Sequence, residues 1–71
     1  MDRSFYHFAL SYRGKMNADD FSRFAEAMFL DHSFPRASKD FEQLSRYLEE
    51  RAHPIMKVTV FDEIWDEYTR L

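Results

Sequence analysis

The 71-residue sequence contains no cysteine, one glycine and two prolines. Without cysteine, neither a disulfide scaffold nor a thiol nucleophile is available. One glycine is too few for the glycine-rich loops that bind nucleotide phosphates. No apolar run approaches the ~18 residues of a membrane-spanning helix, and no signal peptide precedes the first amphipathic segment. We therefore expect a cytoplasmic protein that makes no membrane contact.

β-branched residues are also scarce, and all of them lie in the last part of the chain: Ile55, Val58, Thr59, Val60, Ile64 and Thr69. A β-sheet needs at least two strands that are rich in such residues. We therefore predict an all-α fold. Eight Phe, four Tyr and one Trp supply apolar area for a compact core, because each ring can bury about 150–250 Å².

Apolar residues at helical spacing predict a single helical domain over residues 1–71, with four helices. The predicted helices span roughly 4–13, 18–32, 39–52 and 55–70. Thr59 followed by Asp62 or Glu63 is a second start signal within the last of these. This signal allows a break in that helix near 58–60.

Cap residues place the helix ends. Ser4, Asn17 and Ser38 can each accept a hydrogen bond from a free first-turn amide, so they are the predicted N-caps. Gly14, the only glycine, follows the last periodic residue of the first helix and is predicted to end it in a left-handed conformation. Pro54 fits the first turn of the last helix, where a missing amide hydrogen has no cost.

The titratable residues give no pattern typical of an enzyme. His7, His32 and His53 are too far apart in sequence to form a local metal-binding motif. Asp31 and His32 could form an acid–base pair, but neighbouring helical residues do not face each other, and a histidine near a helix C-terminus is favoured by the helix dipole alone. We predict no catalytic residues, no metal, no cofactor and no enzymatic activity.

The charge distribution favours an interaction with another protein. The net charge is −3, and the acidic excess lies on the last helix. A basic partner or a second copy of the chain would bind a candidate interaction surface that comprises Asp31, His32, Asp62, Glu63, Asp66 and Glu67. The simpler interpretation of the helical carboxylates is a solvated face.

Nucleic-acid binding is the alternative function. Two basic loops could contact phosphates, through Arg13, Lys15, Arg36 and Lys39. The negative net charge and the lack of a dense basic stripe weaken this alternative, because nucleic-acid-binding surfaces are usually strongly basic.

Several segments together resemble the small YozE-like proteins, a family of uncharacterised bacterial proteins. The resemblance is carried by Ser4–Phe8, Tyr12–Arg13, Asp31–Pro35, Ser38, Tyr47–Glu49 and Phe61–Tyr68. It implies a four-helix, sterile-alpha-motif-like fold in a cytoplasmic protein of Gram-positive bacteria, and it implies no catalytic residues. The segment Asp31–Pro35 is then either a rigid corner between helices, with Phe34 in the core, or part of a recognition surface.

Overall fold

The computed structural model describes residues 3–14 and 19–70. Its helices are α1 (Phe5–Ala9, continued by a 3-10 turn at Leu10–Tyr12), α2 (Asp20–Leu30), α3 (Phe41–Arg51) and α4 (Val58–Thr69). These described ranges contain no strand, which confirms the predicted all-α fold class. None of the described helices is both long enough and apolar enough to cross a bilayer.

The first helical segment begins and ends at the predicted residues. The Ser4 hydroxyl oxygen accepts a hydrogen bond from the His7 amide nitrogen at 3.2 Å, which satisfies one of the free amides of the first turn. Gly14 has a φ of +74°, the left-handed conformation that glycine adopts without steric cost. Both ends of the segment are therefore encoded by single residues.

The caps of α2 and α3 differ from the predicted ones. Asp19 caps α2, with its Oδ1 atom 2.8 Å from the Ser22 amide nitrogen; Asn17 lies outside the described residues. Asp40 caps α3 in the same way, with Oδ1 3.0 Å from a first-turn amide nitrogen. The prediction of Ser38 as this cap is wrong, because its hydroxyl accepts the Asp40 amide at 3.2 Å instead.

The start of α4 also differs from the prediction. Pro54 lies in a bend before the helix rather than in its first turn, and Thr59 lies inside the helix rather than at its start. The helix continues without a break through 58–60. His53 explains the difference, because its Nδ1 atom accepts the amides of the two residues after Pro54, at 3.0 and 3.3 Å. The imidazole thus holds the bend in a non-helical conformation.

The buried side chains form one cluster with aromatic rings at its centre. Phe5 is fully buried. Its ring contacts the rings of Phe24, Phe61, Trp65 and Tyr68 at centroid distances from 5.0 to 6.4 Å. Aromatic pairs in these orientations add about 0.5–1.5 kcal/mol each beyond the area that they bury. Phe5 therefore joins α1 to both α2 and α4.

Two aromatic residues, one on α2 and one on α3, lie at the edge of the core. Phe29 is 38% exposed, and the Arg13 guanidinium lies 3.7 Å from its ring centroid. Phe41 is 37% exposed and stacks on Phe61 at a centroid distance of 5.4 Å. Both rings therefore remain partly accessible to solvent.

Candidate functional site

The corner between α2 and α3 is held by short-range hydrogen bonds and by one buried ring. Asp31 Oδ1 accepts the Ser33 amide at 3.1 Å, and the Asp31 carbonyl accepts the Phe34 amide at 3.2 Å. Phe34 is 3% exposed and lies between the rings of Tyr6 and Tyr47, at centroid distances of 5.8 and 5.6 Å. These contacts are those of a structural corner.

The Asp31 carboxylate also joins this corner to the far end of α3. Its Oδ2 atom accepts the Tyr47 hydroxyl at 2.6 Å, and its Oδ1 atom accepts Arg51 Nη2 at 2.6 Å. The Asp31 side chain is only 13% exposed. Charge-assisted hydrogen bonds of this length are stronger than neutral ones. The end of α2 is therefore fixed against the last two turns of α3.

The electrostatics of this network keep each group in one protonation state at neutral pH. Partial burial raises the pKa of the Asp31 carboxyl, but the hydrogen bonds from Tyr47, Arg51 and the Ser33 amide outweigh it, so the pKa lies below its usual value. Burial and then the adjacent carboxylate raise the pKa of Tyr47. The carboxylate is consequently ionised while the phenol keeps its proton.

The structure does not pair Asp31 with His32, the two residues that were considered and rejected as an acid–base pair. Asp31 makes its side-chain bonds to Ser33, Tyr47 and Arg51, and none of the hydrogen bonds among the described residues joins it to His32. His32 is exposed to solvent. Over residues 3–14 and 19–70, no three His, Asp or Glu side chains converge in a way that could hold a metal ion.

A groove of about 600 Å³ lies beside the Asp31 network. Its lining comes from α2 with its C-cap residue and from the end of α3 with the following bend: Arg23, Glu26, Ala27, Leu30, Asp31, Arg51, His53 and Ile55. We call it the α2–α3 groove. Leu30 is 63% exposed and Ile55 is 44% exposed, so two large aliphatic side chains face solvent within it.

This groove was difficult to predict from the sequence, because Leu30 and Ile55 belong to segments that are distant in the chain. Leu30 is adjacent in sequence to the apolar residues that recur at helical spacing on α2, so it is easily mistaken for one of them. Ile55 follows a proline in a bend whose conformation depends on His53. One feature of the sequence links Tyr47 to Arg51. They are four residues apart on α3, so they share a face of that helix.

The four acidic residues of α4 are all exposed, but they do not point in one direction. Successive helical residues are about 100° apart, so Asp62 and Glu67 lie about 140° apart around the axis. Arg70 Nη2 lies 2.7 Å from Asp66 Oδ2, and Arg70 Nη1 lies 3.5 Å from Glu67 Oε2. Asp62 and Glu63 form no ion pair with another described residue. The acidic interaction surface on α4 therefore stays a prediction.

The four basic residues of the alternative function have different environments. Arg13 Nε lies 2.9 Å from Glu26 Oε1, so a carboxylate already neutralises this arginine. The Arg36 guanidinium lies 5.1 Å from the Tyr6 ring centroid. Lys39 is exposed. Lys15 lies outside the described residues.

The arrangement of short helices around one aromatic core is that of the sterile-alpha-motif-like class. The chain belongs to the YozE SAM-like fold family, whose model matches residues 4–70. This match confirms both the resemblance in the sequence and the four-helix fold that it implied.

Three relatives show how evenly the similarity extends along the chain. The UPF0346 protein of Leuconostoc mesenteroides is 48% identical over 67 residues, covering 94% of this chain and 89% of the relative. The UPF0346 protein YozE of Bacillus subtilis is 44% identical over 66 residues, covering 93% and 89%. A UPF0346 protein of Staphylococcus saprophyticus is 47% identical over 68 residues, covering 96% and 90%. These names specify no activity, so function must be argued from the surface of this chain.

Proposed function

We propose that this chain is a cytoplasmic, non-enzymatic module that binds another protein through the α2–α3 groove. One observation carries the proposal: Leu30 and Ile55 are 63% and 44% exposed within one groove of about 600 Å³. A pair of aliphatic side chains surrounded by charged groups is the arrangement found where protein surfaces bind partners.

The groove also requires little reorganisation before it binds. The hydrogen bonds from Tyr47 and Arg51 to Asp31 hold one side of it, and the His53 imidazole holds the bend that carries Ile55. Binding costs less free energy when the binding surface is already ordered. These contacts therefore give the structural corner a surface that is already ordered before a partner binds.

The non-enzymatic part of the proposal is supported by the state of the polar groups. The Asp31 carboxylate is already engaged by three donors, and His32 is exposed to solvent. None of the hydrogen bonds among the described residues joins a serine hydroxyl to a carboxylate or an imidazole, the pairing that activates a serine nucleophile.

Affinity capture from a native lysate of the bacterium that encodes this chain tests the proposal. Full-length wild-type protein is compared with Leu30→Ser and with Leu30→Met, which keeps an apolar side chain at the same position. We expect wild type and Leu30→Met to recover a common protein after nuclease treatment, and Leu30→Ser to lose it. Melting curves check that all three proteins are folded.

Two other results would contradict the proposal. Equal recovery by wild type, Leu30→Ser and Leu30→Met would show that the α2–α3 groove takes no part in the interaction. The α4 carboxylates would then remain as the candidate surface. Recovery that disappears on nuclease treatment would favour the nucleic-acid alternative, because such binding depends on the phosphate backbone.

A further inference from the structure

The polar groups that line the α2–α3 groove differ in whether they already have a partner. Glu26 is paired with Arg13 at 2.9 Å, and Asp31 is paired with Arg51 at 2.6 Å. Both carboxylates of the groove are therefore neutralised by arginines of the same chain. A partner that presents a lysine or an arginine would have to compete with these existing ion pairs.

Arg23, a basic residue of the groove, is more available than these carboxylates. Arg23 is exposed and forms no ion pair within the described part of the chain. It lies seven residues before Leu30 on α2, so both side chains occupy one face of the helix. Lys57 lines a smaller adjacent depression together with Arg23, Ile55 and an acidic residue, Asp20. Asp20 and Arg23 both line this depression, and they form no ion pair with each other.

His53 adds a neutral donor to the same rim. Its Nδ1 atom accepts the amides of Ile55 and Met56, at 3.0 and 3.3 Å. In a neutral imidazole, one ring nitrogen can accept hydrogen bonds and the other carries the proton. The Nε2–H group is therefore left as a donor, and His53 lines the groove.

We infer that the α2–α3 groove recognises a partner segment in which an aliphatic or aromatic side chain lies next to an aspartate or glutamate. The apolar side chain packs against Leu30 and Ile55, and the carboxylate binds at Arg23. This inference rests on the proposed function and adds to it the chemistry of the partner. Charge complementarity carries it, because the open polar groups of the groove are donors whereas its acceptors are already bonded.

The net charge of the chain makes this inference easy to test. With a net charge of −3, long-range electrostatics alone attract basic peptides. A preference for an acidic peptide can therefore arise only from local recognition. Such a preference would also show that the peptide binds in the α2–α3 groove and not at the exposed carboxylates of α4, because those carboxylates favour a basic partner.

The experiment measures fluorescence anisotropy of short, end-blocked, labelled peptides with the full-length chain. One peptide repeats Leu and Glu, a second replaces Glu by Lys, and a third replaces Leu by Ser. We expect the Leu–Glu peptide to bind most tightly of the three. Leu30→Ser should weaken its binding by about tenfold or more, because the apolar contact is lost.

Charge reversal at Arg23 tests the carboxylate contact. Arg23→Glu should weaken the Leu–Glu peptide by about fivefold and should strengthen the Leu–Lys peptide. Arg46→Glu is the matched control: it makes the same charge change at an exposed position of α3 outside the groove, and it should leave that preference unchanged. Both variants keep a helix-forming residue, and circular dichroism confirms their fold.

The outcomes separate this inference from the proposed function. Tighter binding of the Leu–Lys peptide, or equal effects of Arg23→Glu and Arg46→Glu, would overturn the inference about the partner's chemistry. The lysate capture with Leu30→Ser would still decide the proposed function. Self-association in light scattering that both Leu30→Ser and Arg23→Glu abolish would assign the groove to a second copy, and it would overturn the inference of a foreign partner.

Discussion

The substitution Phe5→Ala is expected to remove a large fraction of the chain's free energy of unfolding. Phe5 is fully buried, and truncation of a buried Phe to Ala typically costs about 3–5 kcal/mol. At about 0.05–0.15 kcal/mol per residue, a chain of this length has a free energy of unfolding of about 4–11 kcal/mol. The substitution therefore removes a large fraction of that stability or all of it.

The contacts of Phe5 explain why a single ring has this effect. Its ring meets Phe61 at a centroid distance of 5.0 Å and Trp65 at 5.8 Å, both on α4, and Phe24 of α2 at 6.4 Å. Because α1 is only one short helix with a 3-10 extension, it has little stability of its own and depends on this packing.

Thermal unfolding followed by circular dichroism measures the effect, and Phe29→Ala is the matched control. Phe29 is 38% exposed and its main partner is the Arg13 guanidinium, so its truncation should cost only about 1 kcal/mol. Equal melting temperatures for Phe5→Ala and Phe29→Ala would show that Phe5 is not at the centre of the aromatic core.

The second large effect is expected for Asp31→Asn. This change removes the charge from the two hydrogen bonds with Tyr47 and Arg51, which lie at 2.6 Å. Hydrogen bonds to charged groups contribute about 1.5–3 kcal/mol, but Arg51 is 46% exposed and water compensates part of the loss. We expect the free energy of unfolding to fall by about 1–2 kcal/mol at neutral pH.

The effect of Asp31→Asn should depend on pH in a defined direction. The folded chain holds the pKa of Asp31 below its usual value, so the ionised carboxylate stabilises the fold above the unfolded pKa of about 3.9. That contribution is lost as the pH falls through the lower, folded pKa. The difference in melting temperature between wild type and Asp31→Asn should therefore be largest near neutrality and should shrink in acid.

A comparison with Tyr47→Phe identifies the source of this effect. Tyr47→Phe removes one hydrogen bond to Asp31 but leaves the Arg51 ion pair, so it should cost less than Asp31→Asn at neutral pH. A difference between wild type and Asp31→Asn that stayed constant from neutral to acidic pH would show that the charge of Asp31 contributes nothing to stability.

Features of the fold that depend on residues close together in the sequence could be predicted from it. Ser4 caps α1 because its hydroxyl reaches an amide three residues later, and Gly14 ends the segment because of its own backbone freedom. Phe34 was expected in the core if Asp31–Pro35 is a rigid corner, and it is buried there. Each of these depends only on local geometry and on the apolar pattern.

The caps of α2 and α3 could not be predicted in this way. Several residues that can cap a helix stand next to each other before each of these helices, and their intrinsic preferences are nearly equal. The choice of Asp40 over Ser38 then depends on how α3 packs against the rest of the chain. Ser38 in fact bonds to Asp40 and to Gln43, and the latter bond has an oxygen–oxygen distance of 2.6 Å.

The candidate site depends even more on tertiary packing. Asp31 bonds to Tyr47 and Arg51, which follow it by 16 and 20 residues, and no periodic pattern connects them. Leu30 and Ile55 form one groove only because the bend held by His53 lies beside the end of α2. A sequence pattern assigns residues to faces of single helices, and it cannot place two such segments side by side.

The most direct test of the α2–α3 groove as the binding surface is a map of backbone amide shifts by NMR, recorded as the Leu–Glu peptide is added to the full-length chain. We predict that the largest shifts occur at Arg23, Leu30 and Ile55, with small shifts on α4. The largest shifts at Asp62 and Glu63, with none in the groove, would contradict this account.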